Sequence, residues 1–283
     1  MREDPLALLP PLRDEIASAG LRAEKALGQN FLLDQNLLDR IVRVAGIMPG
    51  DRVYEVGPGP GGLTRALLRA GAEVWAVEYD RRAWPILERL AAASGGRLHV
   101  LQADALRLDA GAIAGDGAHI VANLPYNIGT ALLTGWLTEA VWPPWWRSAT
   151  LMFQKEVAGR LAAAPGTAAY GRLSVLAQFR AEVEIALRLP ARAFTPAPKV
   201  ESAVVRLLPR LPEVEAPVAT IERLTAAAFG QRRKMLRQSL KGVPGAPAAM
   251  AGLGIDPARR AETLSVNDFA RLARALHSAP AYS

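Results

Sequence analysis

The run Glu55-Val56-Gly57-Pro58-Gly59-Pro60-Gly61-Gly62 constrains this chain more than any other segment. It joins a short apolar stretch, Val53–Val56, to an amphipathic one, Leu63–Ala70, which Gly71 closes. Strand, glycine turn and helix in that order belong to an α/β sheet. Glycines let the backbone turn tightly and approach a ligand with no Cβ in the way, and the helix that follows offers free N–H groups. A plain tight turn needs fewer than the four glycines found between positions 57 and 62.

The alternation continues. Glu73–Val77, Arg97–Leu101, Ala118–Ala122 and Ala149–Phe153 read as strands. Helical stretches follow or separate them at 34–46, 81–93, 129–140, 154–163 and 169–178. Strands alternating with helices predict a parallel sheet covered on both faces. Two later strands, Ala181–Leu187 and Ser202–Leu208, flank a Pro-punctuated loop and predict a late antiparallel strand. Leu211–Pro217 marks a boundary, after which strand signals stop and short helices are expected at 219–229, 231–241, 247–253 and 266–276. The expected division is a catalytic domain over 1–211 and a small helical domain over 212–283.

Composition narrows the chemistry. With 283 residues, half of them apolar, the chain buries a sizeable core. It has no cysteine and three histidines that are far apart in sequence, so thiolate chemistry is excluded and no metal site is expected. No apolar run suits a signal peptide or a transmembrane helix, and a cytoplasmic protein with no membrane partner is expected. The net charge of +7, carried mostly by arginine, points to a polyanion such as a nucleic acid. An arginine-rich composition also follows from a GC-rich genome.

Gly57-x-Gly59-x-x-Gly62, with Glu78 at the end of the next strand, suits a nucleoside cofactor whose ribose hydroxyls the carboxylate accepts. Both NAD and S-adenosylmethionine meet that description. Asp104, after the third strand, offers an acceptor for an adenine amino group. Asn123-Leu124-Pro125-Tyr126 directly follows the fourth strand, where ligands bind in open α/β sheets. The Asn123 amide oxygen and the Leu124 carbonyl can accept from an adenine amine, Pro125 restricts Leu124 to extended geometry, and Tyr126 can stack on the base. These later features favour S-adenosylmethionine.

Together these motifs resemble class I S-adenosylmethionine-dependent adenine-N6 methyltransferases. Leu27–Leu32, Gln154–Ala158, Tyr170–Val175 and Phe194–Ser202 are similar to segments of the ribosomal RNA adenine dimethyltransferases. Phe229–Leu240 resembles the C-terminal signature of the bacterial small-subunit (16S) branch. The resemblance spans about residues 20–275 and implies a Rossmann-like sheet. It also implies dimethylation of N6 on two adjacent adenines near the 3′ end of 16S rRNA, within the immature small subunit. S-adenosyl-L-methionine is the implied cofactor and S-adenosyl-L-homocysteine the product. Carried over, Gln29, Asn30, Leu32, Glu55, Gly57, Gly59, Glu78, Asp104, Ala105 and Asn123 are expected around the cofactor. Asn123, Leu124, Pro125, Tyr126 and Phe194 are expected around the target adenine, with Tyr126 and Phe194 sandwiching it.

From Phe229 to Lys241 the chain carries Arg232, Arg233, Lys234, Arg237 and Lys241 and no acid. With 233, 237 and 241 on one helical face, this run is expected to meet rRNA phosphates. Residues 1–18 and Trp142–Trp146 are less typical of the family, and the tryptophans are expected to pack on the core or rim a loop. A monomer is expected. Three other readings compete: a resistance-type methyltransferase acting on large-subunit rRNA, a small-subunit assembly factor with methylation secondary, and an NAD-dependent oxidoreductase.

Overall fold

The computed structural model describes residues 5–278. Its strands are β1 (Phe31–Leu32), β2 (Arg52–Val56), β3 (Glu73–Glu78), β4 (Leu98–Gln102), β5 (Ala118–Ala122), β6 (Trp146–Gln154), β7 (Ala181–Leu189), β8 (Phe194–Thr195) and β9 (Ser202–Pro209). Seven of them form one sheet in the order β4-β3-β2-β5-β6-β9-β7. The pairs β4-β3, β3-β2, β2-β5 and β5-β6 are parallel, and β9 runs antiparallel to β6. This is the expected α/β sheet with its late antiparallel strand. Strand order reverses between β2 and β5, which opens a crevice at their carboxyl ends.

Local chemistry explains the elements. Asp34 caps the helix Gln35–Ala45 by accepting from Leu37 N, and Gly46 ends it with a φ of 70°. That helix buries Leu38, Ile41, Val42 and Ala45 on one stripe. Every residue of β5 is buried, as befits a strand covered on both faces. Leu12–Ser18 is a helix that the periodicity did not reveal. It delivers Glu15, only 3% exposed, to the guanidinium groups of Arg65 and Arg89. Both arginines thereby fasten the N-terminal segment to the helices that follow β2 and β3.

The chain forms two compact units, and they do not follow the linear boundary expected at 211. One holds the chain up to Leu133, with Pro144–Ala158 and Glu184–Leu208. The other holds Thr134–Pro143, Gly159–Val183 and the chain from Pro209. The reason lies in the core of the helical unit, where Tyr170, Val175 and Phe179 pack with Ile221, Leu224, Leu236 and Phe269. The tryptophan segment packs as expected. Trp146 is 1% exposed, and Trp145 meets Tyr54 edge-on at 5.9 Å. In the helical unit Trp142 lies 4.4 Å from the Arg180 guanidinium and donates to Arg210 O at 2.8 Å.

The helix expected over 231–241 is a correction. Only Leu236–Ser239 is α-helical. Met235 instead bridges to Arg260, and Leu236 N and Arg237 N donate to Arg259 O and Pro257 O. Tertiary pairing captures the backbone donors that a longer helix would use, so 233, 237 and 241 do not share one helical face.

Candidate active site

A cavity of about 250 Å³ opens at the carboxyl ends of β2, β3 and β5. Gln29, Asn30, Leu32, Glu55, Gly57, Gly59, Glu78, Asp104, Ala105, Asn123, Leu124, Pro125 and Tyr126 all line it. Segments separated by almost a hundred residues are thus brought to one wall.

The glycine loop is shaped for close approach. Gly57 and Gly59 have φ of 66° and 55°, which favour glycine. A Cβ on Gly57 would lie 3.2 Å from the Pro125 ring, and one on Gly59 3.3 Å from the Phe31 ring. The loop, the segment carrying β1 and the Asn123–Tyr126 turn therefore interlock around the cavity.

Two carboxylates lie buried in its wall. Glu78 Oε2 accepts from Gly59 N at 2.9 Å, and its Oε1 accepts from Asp80 N at 2.7 Å. Burial pushes the Glu78 carboxyl up, against the pull of those N–H groups. Glu55 Oε2 accepts from Thr64 Oγ1 at 2.7 Å. Burial pushes its carboxyl up to about 8, with Thr64 lowering it and nearby Glu78 raising it further. Asp104 accepts from Leu106 N at 3.0 Å beside the same cavity.

The segment before β1 is tied down by a residue that the sequence did not single out. Asp80 holds Arg82 through a two-point ion pair and accepts from Gln29 Nε2 at 2.8 Å. The guanidinium keeps the Asp80 carboxyl below the usual carboxylate range. Gln29 Oε1 accepts from Glu24 N, so this side chain braces its own loop. The one available signal was the position of Asp80, two residues after Glu78.

Asn123 Nδ2 donates to Asn30 O at 3.1 Å. That contact uses the amide's donor end and leaves its carbonyl oxygen as an acceptor at the cavity. Tyr126 Oη lies 2.7 Å from Ser202 Oγ. Phe194 does not join this group. It is 3% exposed, packs in the core with Leu189 and Val204, and is absent from the cavity wall. Its backbone pairs with Leu32 in the two-stranded β1-β8 ladder. Phe194 therefore does not share the cavity wall with Tyr126, against the expected pairing of the two rings.

Of the basic run, Arg233, Lys234, Arg237 and Lys241 are exposed. Arg232 is half-buried, pairs with Glu262 at 2.9 Å and donates to Thr167 O.

A seven-stranded sheet with a late antiparallel strand, and a glycine loop and acidic residues at its carboxyl edge, is the architecture of a class I S-adenosylmethionine-dependent methyltransferase. Residues 20–278 match the family described as ribosomal RNA adenine dimethylase, and the chain belongs to that family. It is 59% identical over 268 residues to the ribosomal RNA small subunit methyltransferase A of Novosphingobium aromaticivorans, covering 95% of this chain and 98% of that one. The protein of the same name from Dinoroseobacter shibae is 60% identical over 269 residues, with 94% and 96% covered. Among solved structures, a dimethyladenosine transferase from Plasmodium falciparum superposes with a TM-score of 0.72 at 26% identity, over 84% of this chain and 94% of that one. The 23S rRNA methyltransferase ErmE gives 0.66 at 28% identity, over 88% and 100%.

Proposed function

We propose that this chain dimethylates N6 of two adjacent adenines near the 3′ end of 16S rRNA. The substrate is the immature small ribosomal subunit, and the enzyme acts as a cytoplasmic monomer. The observation that carries the reading is the orientation of Asn123, whose amide donor is held by Asn30 O so that its acceptor is left for a substrate amine. The choice of small over large subunit is supported by relatives near 60% identity, against 28% for ErmE. Labelled methyl groups from S-adenosylmethionine should appear in small-subunit RNA when purified subunits are mixed with the protein. Label confined to large-subunit RNA would move it to the resistance-type branch.

The residues present fit this cofactor. Glu55 and Glu78 line one cavity, and their hydrogen-bond partners are a hydroxyl and backbone N–H groups, so no cation bonded to them competes with a cationic ligand. Backbone groups of Gly59, Asp80 and Tyr79 engage the Glu78 carboxylate, and its remaining acceptor capacity suits the ribose hydroxyls. Asp104, beside the cavity, would accept from the adenine amine, and Asn30 and Leu32, which line it, would close over the methionine end. When bound, S-adenosylmethionine supplies an electrophilic methyl group on a sulfonium that is already a good leaving group.

The protein's own task is alignment and charge arrangement. Adenine N6 is a poor nucleophile because its lone pair is delocalised into the ring. Asn123 Oδ1 and the Leu124 carbonyl accept hydrogen bonds from its two N–H groups and favour a tetrahedral nitrogen, which frees the lone pair. The same acceptors stabilise the positive charge that grows on N6. Tyr126 stacks on the flipped base. The surplus proton leaves afterwards to water, so no histidine base is required.

Glu55 gives the cofactor affinity a pH dependence. With its carboxyl near 8, it is mostly protonated at neutral pH in the free protein. A cationic ligand prefers the ionised form, so binding releases a proton. The Glu55 contribution to affinity therefore grows as pH rises towards about 8. The same raised value makes the ligand-free fold lose stability over that rise, because the unfolded state ionises first. Calorimetry in buffers of different ionisation enthalpy should detect proton release at pH 7 that disappears in Glu55→Gln.

We assign the exposed Arg233, Lys234, Arg237 and Lys241 to the RNA phosphates. Replacing them together with alanine should weaken binding to small subunits and flatten its salt dependence, by a slope of about 0.7–0.9 for each phosphate no longer neutralised. Arg232→Ala should act differently. It strips Glu262 of its partner and should lower the melting temperature, which a thermal melt of each variant would resolve.

A further inference from the structure

Tyr126 stands on a connection, not on a strand or helix. Residues 123–128 join β5 to the helix Gly129–Leu137. The turn closes where Ile128 N and Gly129 N donate to Pro125 O at 3.2 and 3.0 Å. Those bonds fix the backbone, but they leave the torsions of the Tyr126 side chain free.

The far end of the ring is fixed elsewhere. Its hydroxyl lies 2.7 Å from Ser202 Oγ. Ser202 is 1% exposed and is the first residue of β9, opposite Gln154 at the end of β6. The preceding residue is held twice, since Lys155 N donates to Glu201 O at 2.9 Å and Lys155 Nζ pairs with the Glu201 carboxylate at 2.7 Å. The hydroxyl that meets Tyr126 therefore belongs to the sheet.

We propose that Ser202 is a positioning residue for methyl transfer: its hydroxyl pins the Tyr126 ring in the plane on which the target adenine stacks. The inference rests on the function proposed above for the same site. A ring held at both Cβ and Oη is ordered before RNA arrives, so that ordering is not charged against the transfer step. The pin matters most for the second methyl group. The acceptor is then N6-methyladenine, which is bulkier at the reacting atom and must present its lone pair in a narrower range of poses. A base on a tilting ring loses that alignment first.

The test compares wild type with Ser202→Ala, Tyr126→Phe, the double variant and Ser202→Thr. Assays follow the mono- to dimethyladenine ratio, kcat and KM on small subunits. Ser202→Ala should lower kcat about 3- to 10-fold, the range expected for one hydrogen bond, and leave KM nearly unchanged. Monomethyladenine should accumulate. Tyr126→Phe should match it, the double variant should be no worse than either single one, and Ser202→Thr should recover the wild-type product ratio. A second readout needs no cofactor. A 3′-end RNA hairpin with 2-aminopurine at the target position should fluoresce more strongly when bound to Ser202→Ala than to wild type, because the base stacks less firmly. An unchanged product ratio in Ser202→Ala, or strictly multiplicative losses in the double variant, would overturn the proposal. A parallel fall in melting temperature and S-adenosylhomocysteine affinity without a change in ratio would also overturn it, leaving Ser202 a structural residue. If Ser202→Ala does not fold, Tyr126→Phe decides by the same ratio. A wild-type protein that leaves small-subunit RNA unmethylated would sink the proposed function itself, an outcome distinct from failure of the pin.

Discussion

Asn123→Ala is expected to lower methyl transfer to small-subunit RNA by about 10²- to 10³-fold, the scale seen when one oriented group facing developing charge is removed. Two losses combine. The variant lacks the oxygen that would hold an N6 hydrogen, and it lacks the Nδ2 donor that meets Asn30 O at 3.1 Å. The second loss slackens the segment carrying Asn30, which lines the cavity. Asn123→Asp separates the two effects, because it keeps an acceptor and loses the donor. Single-turnover transfer with saturating cofactor reads the chemical step, and a thermal melt confirms that the fold survives. A rate for Asn123→Ala close to wild type would contradict the assigned role.

Glu78→Ala should produce the largest loss of cofactor affinity. Its carboxylate receives Gly59 N and Asp80 N and would receive the ribose hydroxyls as well. Hydrogen bonds to a charged group contribute about 1.5–3 kcal/mol each, so loss of the ribose pair alone predicts a weakening of about 10²-fold or more. Gly59 N is also left without its acceptor in a buried loop. Titration calorimetry with S-adenosylhomocysteine measures the effect directly. Glu78→Gln should fall between, since it keeps one acceptor oxygen and loses the charge. Unchanged affinity in Glu78→Ala would remove Glu78 from the cofactor site.

Much of this architecture is legible in the sequence because the informative patterns are local. The glycine loop, Glu78 at the end of β3 and Asn123–Tyr126 after β5 each announce their own surroundings. The parts that were not legible depend on partners far along the chain. Phe194 reads as a stacking ring from its Pro-rich loop, yet Phe31–Leu32 pairs with Phe194–Thr195 and the ring is drawn into the core. Residues 231–241 have helical spacing, but Met235, Leu236 and Arg237 find backbone partners at 257–260. Arg232 reads like its basic neighbours until Glu262 is seen beside it. Residues 159–183 continue the α/β alternation in sequence and still pack with the C-terminal helices, because Tyr170, Val175 and Phe179 supply the apolar face those helices need. Asp80 lies in no motif, and Ser202 closes the Phe194–Ser202 segment with nothing local to show what its hydroxyl meets; their partners, Gln29 and Tyr126, lie on distant segments.

Asn123 and its neighbours should place two methyl groups on N6 of each of two adjacent adenines. Mass spectrometry of nuclease fragments from small-subunit rRNA tests it most directly, after unmethylated particles are incubated with the protein and S-adenosylmethionine. The expected result is a 3′-terminal fragment carrying two neighbouring N6,N6-dimethyladenosines, absent when S-adenosylmethionine is left out. A fragment that stays unmethylated while large-subunit RNA gains methyl groups would contradict it.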